Sequence, residues 1–332
     1  MTNGMGGPRD YVILGRTATR VSRLCCGTMT FGAEADEDTS AQIYARVRDA
    51  GINFFDTADM YGTGTAERIL GRLMVGDRDD LVVASKAYFP MGEDANAGGL
   101  ARRHLVRAVE ASLSRLGTDR LDLYYVHHFD DVTPIESVMR TLDDLQRAGK
   151  VVYLGVSNWA AWQIATALGV SAREHLARFD VVQPMYNLVR RQAEVEILPL
   201  AVAEGLAVVP YSPLGAGLLT GKYGIDRRPH TGRLVENQKY MDRYSLQTDY
   251  DVADRFTAVA AEIGVAPASL AVAWVLAHPA VTAPIIGARN LDQLESSLAA
   301  LDIDMTTELR ARISALSPTP HPATDRTEQL RA

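Results

Sequence analysis

Four side chains of this sequence could together carry out a proton transfer: Asp56, Tyr61, Lys86 and His127. A free tyrosine hydroxyl has a pKa of about 10 and is a poor proton donor near neutrality. A lysine ammonium beside it would lower that pKa, because the positive charge favours the phenolate. An aspartate could hold the lysine in place, and a histidine could orient the reacting oxygen. The four can act together only if the fold gathers them.

The position of these residues along the chain indicates how they could be gathered. Asp56, Lys86 and His127 each come directly after a short run of apolar residues that reads as a strand. Four further runs end in polar or glycine-containing groups, which are Ser157 with Asn158, Gln183, Tyr211 to Pro213, and Gly287 to Arg289. Because a parallel barrel brings the carboxyl ends of its strands to one face, these seven ends predict a single site.

The chain as a whole alternates β-branched runs with amphipathic segments of helical period, which is typical of βα units around a parallel sheet. Strands are predicted over residues 23–27, 52–55, 81–85, 121–126, 152–156, 181–183, 207–210 and 284–286. Helices are predicted over residues 40–50, 66–74, 101–116, 135–148 and 291–301. Eight strands alternating with helices predict an α/β fold, specifically a (β/α)₈ TIM barrel.

Two regions depart from this alternation. Residues 11–15 and 17–21 predict an N-terminal β-hairpin that could plug the barrel floor. Residues 214–251 contain no convincing strand and predict an extended loop after strand 7, and loops of that length are usually functional or mobile. We expect one domain over residues 11–317, with flexible tails at 1–10 and 318–332.

The composition narrows the classes of function. A formal net charge of −7 argues against nucleic acid or an anionic membrane as a partner. No apolar run approaches the roughly 18 residues of a membrane-spanning helix. The only cysteines, Cys25 and Cys26, are adjacent and would face opposite sides of a strand, which indicates reduced core residues of a cytoplasmic protein. No ligand cluster predicts a metal site.

Five motifs occur in an order that resembles the aldo-keto reductase family, in particular its NADP-dependent bacterial type. They are GINFFDTA at residues 51–58, YG at 61–62, LDLYYVH at 121–127, GVSN at 155–158 and YSPL at 211–214. The resemblance covers essentially the whole chain. It implies an NADP(H)-dependent oxidoreductase that reduces an aldehyde or ketone to an alcohol by direct hydride transfer, with a small-molecule carbonyl compound as its substrate.

By this resemblance Asp56, Tyr61, Lys86 and His127 are the catalytic residues. Adding a hydride to a carbonyl leaves an alkoxide, which must take a proton from a group within hydrogen-bond reach. Tyr61 is expected to be that general acid, with Lys86 lowering its pKa. Asp56 would hold Lys86, and His127 would orient the carbonyl oxygen or share the proton in the oxidative direction.

The resemblance also implies a site for NADP(H). Ser157, Asn158 and Gln183 are expected to bind the nicotinamide carboxamide, and Tyr211 to stack beneath the ring. Arg289, at the start of a predicted helix, suits the 2′-phosphate of NADP, because a guanidinium and helix N-terminal amides both favour a phosphate. Further contacts with the cofactor are expected from Thr28, Met29, Asp56, Ser212, Pro213, Leu214, Gly215, Ala216, Gly217, Lys222, Arg233, Gly287 and Gln293.

Two details limit that interpretation. The glycine-rich segment at residues 62–67 is not a dinucleotide fingerprint, because Glu67 would place a carboxylate against a pyrophosphate. Where the family commonly has a Glu-Asn pair, this chain has Ser296 and Ser297, which leaves the adenine contacts open.

An NADPH-binding, redox-sensing subunit with little turnover is an alternative function for the whole chain. A metal-dependent hydrolase on the same barrel would need clustered ligands at the strand ends.

The sequence leaves the substrate and the oligomeric state open. Arg190 and Arg191 could select an acidic or sugar-phosphate group, and His128 is expected to be structural or to lie on the substrate rim. An apolar rim that suits aromatic or bulky carbonyl compounds could instead come from Met29, Phe31, Tyr88, Phe89, Phe129, Trp159 and residues 240–244.

Overall fold

The structure, a computed structural model, describes residues 11–328. It begins with an antiparallel hairpin of β1 (Tyr11–Ile13) and β2 (Arg20–Ser22), so the predicted hairpin is confirmed. Gly15, in its turn, has a φ of +57°, and a Cβ there would lie 2.8 Å from the backbone nitrogen of Ala207. Only glycine allows that approach, and the hairpin therefore packs directly against the amino-terminal end of the barrel.

Eight parallel strands follow the hairpin, and they are β3 (Cys25–Gly27), β4 (Phe54–Asp56), β5 (Val82–Ala87), β6 (Leu121–Val126), β7 (Val151–Ser157), β8 (Phe179–Gln183), β9 (Ala207–Val208) and β10 (Ile285–Ile286). From β3 to β9 each strand pairs with the next, and β10 pairs with β3. The backbone N–H of Ile285 donates to the carbonyl of Pro210 at 2.9 Å, which joins β10 to the end of β9. The prediction of a (β/α)₈ barrel is confirmed.

The described residues form twelve α-helices, α1 (Glu37–Asp49), α2 (Thr65–Leu73), α3 (Arg102–Leu116), α4 (Ile135–Arg147), α5 (Ala161–Glu174), α6 (Ile197–Glu204), α7 (Arg233–Glu236), α8 (Gln238–Arg243), α9 (Gln247–Glu262), α10 (Pro267–Leu276), α11 (Leu291–Leu298) and α12 (Thr307–Ser314). The five predicted helices are all present. On α3 the spacing of Leu105, Val109, Leu113 and Leu116 places four apolar side chains on one buried stripe. That stripe packs the helix onto the outside of the barrel.

Two hydrophobic layers result from the alternation of side chains along the strands. On β4, Phe54 belongs to the cluster inside the barrel, together with Leu14 and Val21 of the hairpin region. Phe55, its neighbour, belongs to the larger cluster between the strands and the helices. Cys25 and Cys26 divide in the same way and are both free and buried, as predicted.

The stretch after β9 differs from the predicted loop. It contains no strand, as expected, but it is largely helical, with a 3₁₀ segment at Gly215–Thr220 followed by α7, α8 and the start of α9. The interpretation as an extended loop is therefore wrong in part. Buried Leu218, Tyr223, Leu234 and Tyr244 explain the difference, since they attach these short helices to the core.

Some predictions about the ends of the chain stay predictions. Residues 1–10 and 329–332 lie outside the described residues, so the two tails, and the single domain over 11–317, are not tested by this structure.

Between residues 11 and 328, no single helix has the length and apolar character to cross a membrane. Only α9 and α10, which meet at 99°, would reach that length and apolarity together.

Candidate active site

The carboxyl ends of the central strands place three of the four predicted catalytic side chains side by side. Asp56 ends β4, Lys86 lies at the end of β5, and His127 follows β6 directly. Tyr61 comes from the loop between β4 and α2, where its backbone N–H donates to the carbonyl of Ala58. This turn folds the tyrosine back over the strand ends.

The ammonium of Lys86 is the centre of this group. Its Nζ lies 2.5 Å from Oδ1 of Asp56, 2.7 Å from the carbonyl oxygen of Thr57 and 3.3 Å from the hydroxyl of Tyr61. The lysine is completely buried, so these three contacts replace the water that the charge would otherwise bind. A buried charge is tolerated only when it is paired and hydrogen-bonded in this way.

The same contacts determine the protonation of Lys86 and Tyr61. Burial by itself would lower the pKa of Lys86, but the charge of Asp56 and the hydroxyl of Tyr61 outweigh it, so the pKa is raised. Burial raises the pKa of Tyr61 above its ordinary value, and the charge of Lys86 offsets only part of that rise. The lowering expected from Lys86 is thus present as a contribution, but the net shift of the pKa is upward because burial outweighs it.

His127 is held as a neutral imidazole. Burial, and then the charge of Lys86, lowers its pKa well below the ordinary value of 6.5. The ring packs edge-on against Tyr61, with ring centres 6.1 Å apart, and its Nδ1 is buried without a hydrogen-bond partner among the described residues. His128, in contrast, is exposed and lines the mouth of the site.

The residues predicted to bind a carboxamide form one connected network with the catalytic group. Gln183 donates from Nε2 to Oδ2 of Asp56 at 3.2 Å, and Ser157 donates to the carbonyl of Gln183 at 3.0 Å. The hydroxyl of Tyr211 donates to Oδ1 of Asn158 at 2.8 Å. Asn158 in turn donates from Nδ2 to the carbonyl of His127 at 3.0 Å. These hydrogen bonds orient the amide groups along one wall.

Backbone strain is concentrated on that same wall. Asn158, Ser212 and Ala216 have φ angles of 58°, 61° and 57°, a region that residues other than glycine seldom adopt. All three line the cavity described next. Strained backbone of this kind persists only when its surroundings enforce it, and it is found preferentially at binding sites.

A cavity of about 930 Å³ opens over the strand ends, near the upper limit of the roughly 300–1,000 Å³ typical of ligand sites. Thr28 and Gly215 do not reach its wall, and the buried Thr28 hydroxyl instead donates to the carbonyl of Asp56. The wall contains most of the residues predicted to bind the cofactor, namely Met29, Asp56, Ser157, Asn158, Gln183, Tyr211, Ser212, Pro213, Leu214, Ala216, Gly217, Lys222, Arg233, Gly287, Arg289 and Gln293.

The end of the cavity away from Tyr61 is basic. Lys222, Arg233 and Arg289 line it, and both arginines lie close to Oε1 of Glu34, Arg233 at 3.1 Å and Arg289 at 3.4 Å. Partial burial, and then the charges of the two arginines, lowers the pKa of Lys222. Gln293 accepts a hydrogen bond from the backbone N–H of Arg289 at the start of α11.

The predicted substrate rim is only partly correct. Met29, Phe89 and Tyr240 line the cavity, whereas Phe31, Tyr88, Phe129 and Trp159 do not, and neither does Tyr244, which is buried against Asn187. Arg190 and Arg191 also lie away from the wall. They pair with Asp249 at 3.0 Å and Glu194 at 2.8 Å, so their charges are used to hold the structure together.

Several residues at the site were missed by sequence reasoning. Glu34 follows β3 in a segment without any catalytic pattern, and Lys239 lies on a helix that was not predicted. Met60 also lines the cavity wall. Its position directly before Tyr61 in the sequence could have indicated that it lies at the site. Ser296 and Ser297, the pair that departs from the family pattern, line the wall near Gln293.

The arrangement can hold a long ligand with phosphate groups. Its basic end suits phosphate, and its amide and hydroxyl donors at the other end suit a carboxamide. The donor set therefore fits a nicotinamide dinucleotide whose reactive ring lies next to Tyr61. No group of three or more possible metal ligands occurs within residues 11–328.

Comparison with known proteins identifies the family of the chain. The sequence model of the Aldo/keto reductase family matches residues 23–318. The chain is 38% identical over 94% of its length to an uncharacterized oxidoreductase, YrpG, of Bacillus subtilis, of which 97% is covered. It is also 38% identical over 92% of its length to a probable voltage-gated potassium channel subunit beta of Oryza sativa, of which 96% is covered.

A third relative carries a named reaction. The chain is 30% identical over 90% of its length to versiconal hemiacetal acetate reductase of Aspergillus parasiticus, with 94% of that protein covered. The family match and these three full-length similarities agree with the barrel and with the polar groups at its strand ends. The chain belongs to the aldo/keto reductase family and is an oxidoreductase of that family.

Proposed function

We propose that this protein reduces an aldehyde or ketone to the corresponding alcohol with NADPH, and that Tyr61 is the general acid. The observation that carries the proposal is the contact of the buried Lys86 ammonium with both the Tyr61 hydroxyl and the Asp56 carboxylate. A lysine with no other function would not be kept charged beneath the floor of a cavity, because burying a charge costs free energy.

Each residue has a distinct task in this reaction. When bound, the nicotinamide supplies the hydride. Tyr61 donates the proton from its Oη to the substrate oxygen, and the Lys86 ammonium stabilises the phenolate that remains. Asp56 keeps Lys86 protonated and in position. His127 is neutral, so it can orient the carbonyl oxygen without adding a second positive charge beside Lys86.

The cofactor would lie along the cavity in one direction. Ser157, Asn158 and Gln183 would hold the carboxamide, and Tyr211 would pack against the nicotinamide ring. Lys222, Arg233 and Arg289 would hold the phosphates at the basic end, and their combined charge is the reason for preferring NADP(H) to NAD(H). Thr28 donates from its hydroxyl to the backbone carbonyl of Asp56 and would support that residue from behind.

The partner we propose is a small carbonyl compound, not a nucleic acid or a membrane. The cavity lies at the carboxyl ends of the barrel strands and has the size of a ligand site, and the net charge of −7 disfavours anionic polymers. Free, buried Cys25 and Cys26 are in keeping with a reducing cytoplasm, which is the location we propose.

A panel of aldehydes and ketones tested against the oxidation of NADPH would test the proposal. We expect turnover with several of them and a slower reaction with NADH. The panel should include aromatic and aliphatic aldehydes, because Met29, Phe89 and Tyr240 leave an apolar surface beside Tyr61. Tight NADPH binding without turnover of any member would contradict the proposal.

A second candidate is an NADPH-binding subunit that reports redox state to a partner with little turnover. The observation in its favour is the 38% identity to a probable potassium channel subunit beta. The two candidates differ in rate. A single-turnover experiment with bound NADPH and an aldehyde should be complete within seconds for an enzyme, whereas a sensor would keep its NADPH oxidation slow for every carbonyl compound.

A further inference from the structure

Two cations line the cavity at the end where the substrate would bind. Lys239 and Arg243 lie four residues apart on α8, and residues at that spacing share one face of a helix. Lys239 and His127 line the same cavity, and the charge of Lys239 contributes, after burial, Lys86 and His128, to the lowered pKa of that histidine. The charge of Arg243 similarly acts on Tyr211. Both cations therefore belong to the catalytic end.

These two cations form a separate group from the basic end of the cavity. The ring of Tyr240, which also lines the cavity, lies between the groups, 5.4 Å from the guanidinium of Arg243 and 5.5 Å from that of Arg233. Arg233 has Glu34 as its carboxylate partner. For Lys239 and Arg243, no ion pair is found anywhere in the described part of the chain, from residue 11 to residue 328.

Their lack of partners contrasts with the rest of the protein. Arginines elsewhere are widely paired, including Arg190 with Asp249 and Arg191 with Glu194. Among the described residues, Asp56 is the only carboxylate on the cavity wall, and Lys86 neutralises it. A protein of net charge −7 thus has an excess of positive charge at this one opening. Such a cleft attracts and selects anions.

We infer that the substrate carries an anionic group, a carboxylate or a phosphate, in addition to its carbonyl, and that Lys239 and Arg243 bind it. The inference rests on the proposed function and specifies its substrate. Arg243 offers the planar pair of donors that fits the oxygens of either anion, and Lys239 adds a point charge. Because Lys239 is exposed and Arg243 half-buried, their effect is on substrate binding and is reduced by salt.

Three aldehydes with the same ring would test the inference: 4-formylbenzoate, 4-formylphenyl phosphate and the uncharged methyl 4-formylbenzoate. We expect the wild-type protein to use at least one of the two anions with a kcat/KM roughly three- to tenfold above that of the ester, through KM. The faster anion identifies the group. Lys239→Met and Arg243→Met should each reduce this ratio, and 0.5 M NaCl should reduce it in the wild type.

A matched control separates this effect from a general change in charge. Arg103→Met removes an exposed cation from α3, away from the cavity, and should leave the ratio unchanged. Equal use of anions and ester by the wild type would overturn the inference, as would an unchanged ratio in both cavity variants. A loss of NADPH affinity as large as the loss of anion preference would also overturn it, since the cations would then serve the cofactor.

A binding measurement keeps the inference testable if the proposed function fails. If none of the three aldehydes is reduced, the wider panel described above decides on the proposed function, and binding tests the inference separately. The NADP⁺-bound protein can then be titrated with 4-(hydroxymethyl)benzoate and with its methyl ester. Tighter binding of the carboxylate, lost in Lys239→Met and Arg243→Met, would support an anion site on this face. Equal binding of the two compounds would overturn it.

Discussion

The two ends of the cavity hold their charges in opposite ways. At the catalytic end, the side chains of Lys86 and Asp56 are 0% and 3% exposed, and their atoms are bonded to each other, to Tyr61 and to Gln183. At the basic end, the side chains of Arg289 and Glu34 are 32% and 36% exposed and lie 3.4 Å apart. The network around Lys86 is enclosed and hydrogen-bonded, whereas the pair of Arg289 and Glu34 faces solvent.

This difference indicates what each end can do. Charges in an enclosed, fixed network act strongly on a transition state, because nothing has to reorganise when the reaction occurs. Charges that face solvent are screened by salt and contribute modestly each, but they can exchange one partner for another. Changes in the Lys86 network should therefore affect rate, and changes at the basic end should affect the affinity for cofactor.

The largest effect is expected from Tyr61→Phe. The phenyl ring keeps the packing against His127 but has no proton for the alkoxide, so kcat should fall roughly 10²–10⁴-fold. The affinity for NADPH, measured by fluorescence titration, should stay near that of the wild type. Tyr153→Phe removes a hydroxyl that bonds Thr19, far from the cavity, and serves as the control. A Tyr61→Phe protein with half of the wild-type kcat would show that another group donates the proton.

Lys86→Met should have the next largest effect, a decrease in kcat of roughly 10²-fold. Without the ammonium, the pKa of Tyr61 rises further, so the basic limb of the pH–rate profile should move to higher pH. Lys150→Met, which removes a partly exposed lysine that pairs with Glu110, is the control for loss of charge. Thermal unfolding should accompany the kinetics, since the variant leaves Asp56 buried without its partner. An active variant with an unchanged profile would contradict the role of Lys86.

The two ends also differ in how far the sequence could predict them. Asp56, Lys86 and His127 were predictable because the end of a strand can be located from its residues, and the barrel brings strand ends together whatever their side chains. The pairing of Glu34 with Arg233 and Arg289 joins residues 199 and 255 positions apart through exposed side chains, for which the sequence has no pattern.

The same reasoning explains the other differences. Arg190 and Arg191 looked available for an acidic substrate because nothing in their neighbourhood along the chain shows Asp249 coming close to Arg190. Lys239 was not assigned to a substrate, and Arg243 was included only as part of an apolar rim over residues 240–244. The short helix α8 that places both cations depends on tertiary contacts such as the burial of Tyr244. Thr28 was expected at the cavity, but its hydroxyl turns to the carbonyl of Asp56. Side-chain direction after a strand of three residues cannot be read from sequence.

At the basic end, Arg289→Ala should weaken NADPH binding about tenfold. Hydrogen bonds to charged groups contribute roughly 1.5–3 kcal/mol, which corresponds to a change in affinity of about ten- to a hundredfold. Because Arg289 is partly exposed, we expect a loss at the lower limit of that range. NADH lacks the 2′-phosphate, so its affinity should change much less. Arg72→Ala, which breaks the exposed pair with Glu37, is the control. Equal losses for both cofactors would mean that Arg289 does not read the 2′-phosphate.

The smallest effect is expected from Glu34→Gln. This variant also tests most directly whether the two ends of the cavity differ. The Glu34 carboxylate lies beside Arg233 and Arg289, so it competes with a 2′-phosphate for the same two guanidinium groups. Removing its charge should strengthen NADPH binding roughly two- to fivefold, the range expected for exposed pairs, and should leave kcat unchanged. The gain should shrink as salt is raised, because the competing charges face solvent.

A matched control and the opposite outcome complete this last test. Glu37 lies three residues after Glu34 and pairs with Arg72. Glu37→Gln should therefore change the affinity for neither NADPH nor NADH. NADH should also bind Glu34→Gln about as well as it binds the wild type, since it brings no 2′-phosphate to the two arginines. If Glu34→Gln instead weakens NADPH binding, the carboxylate positions the guanidiniums rather than competing for them. The basic end would then be a preassembled network like the catalytic end, and the contrast between the two ends would be one of exposure alone.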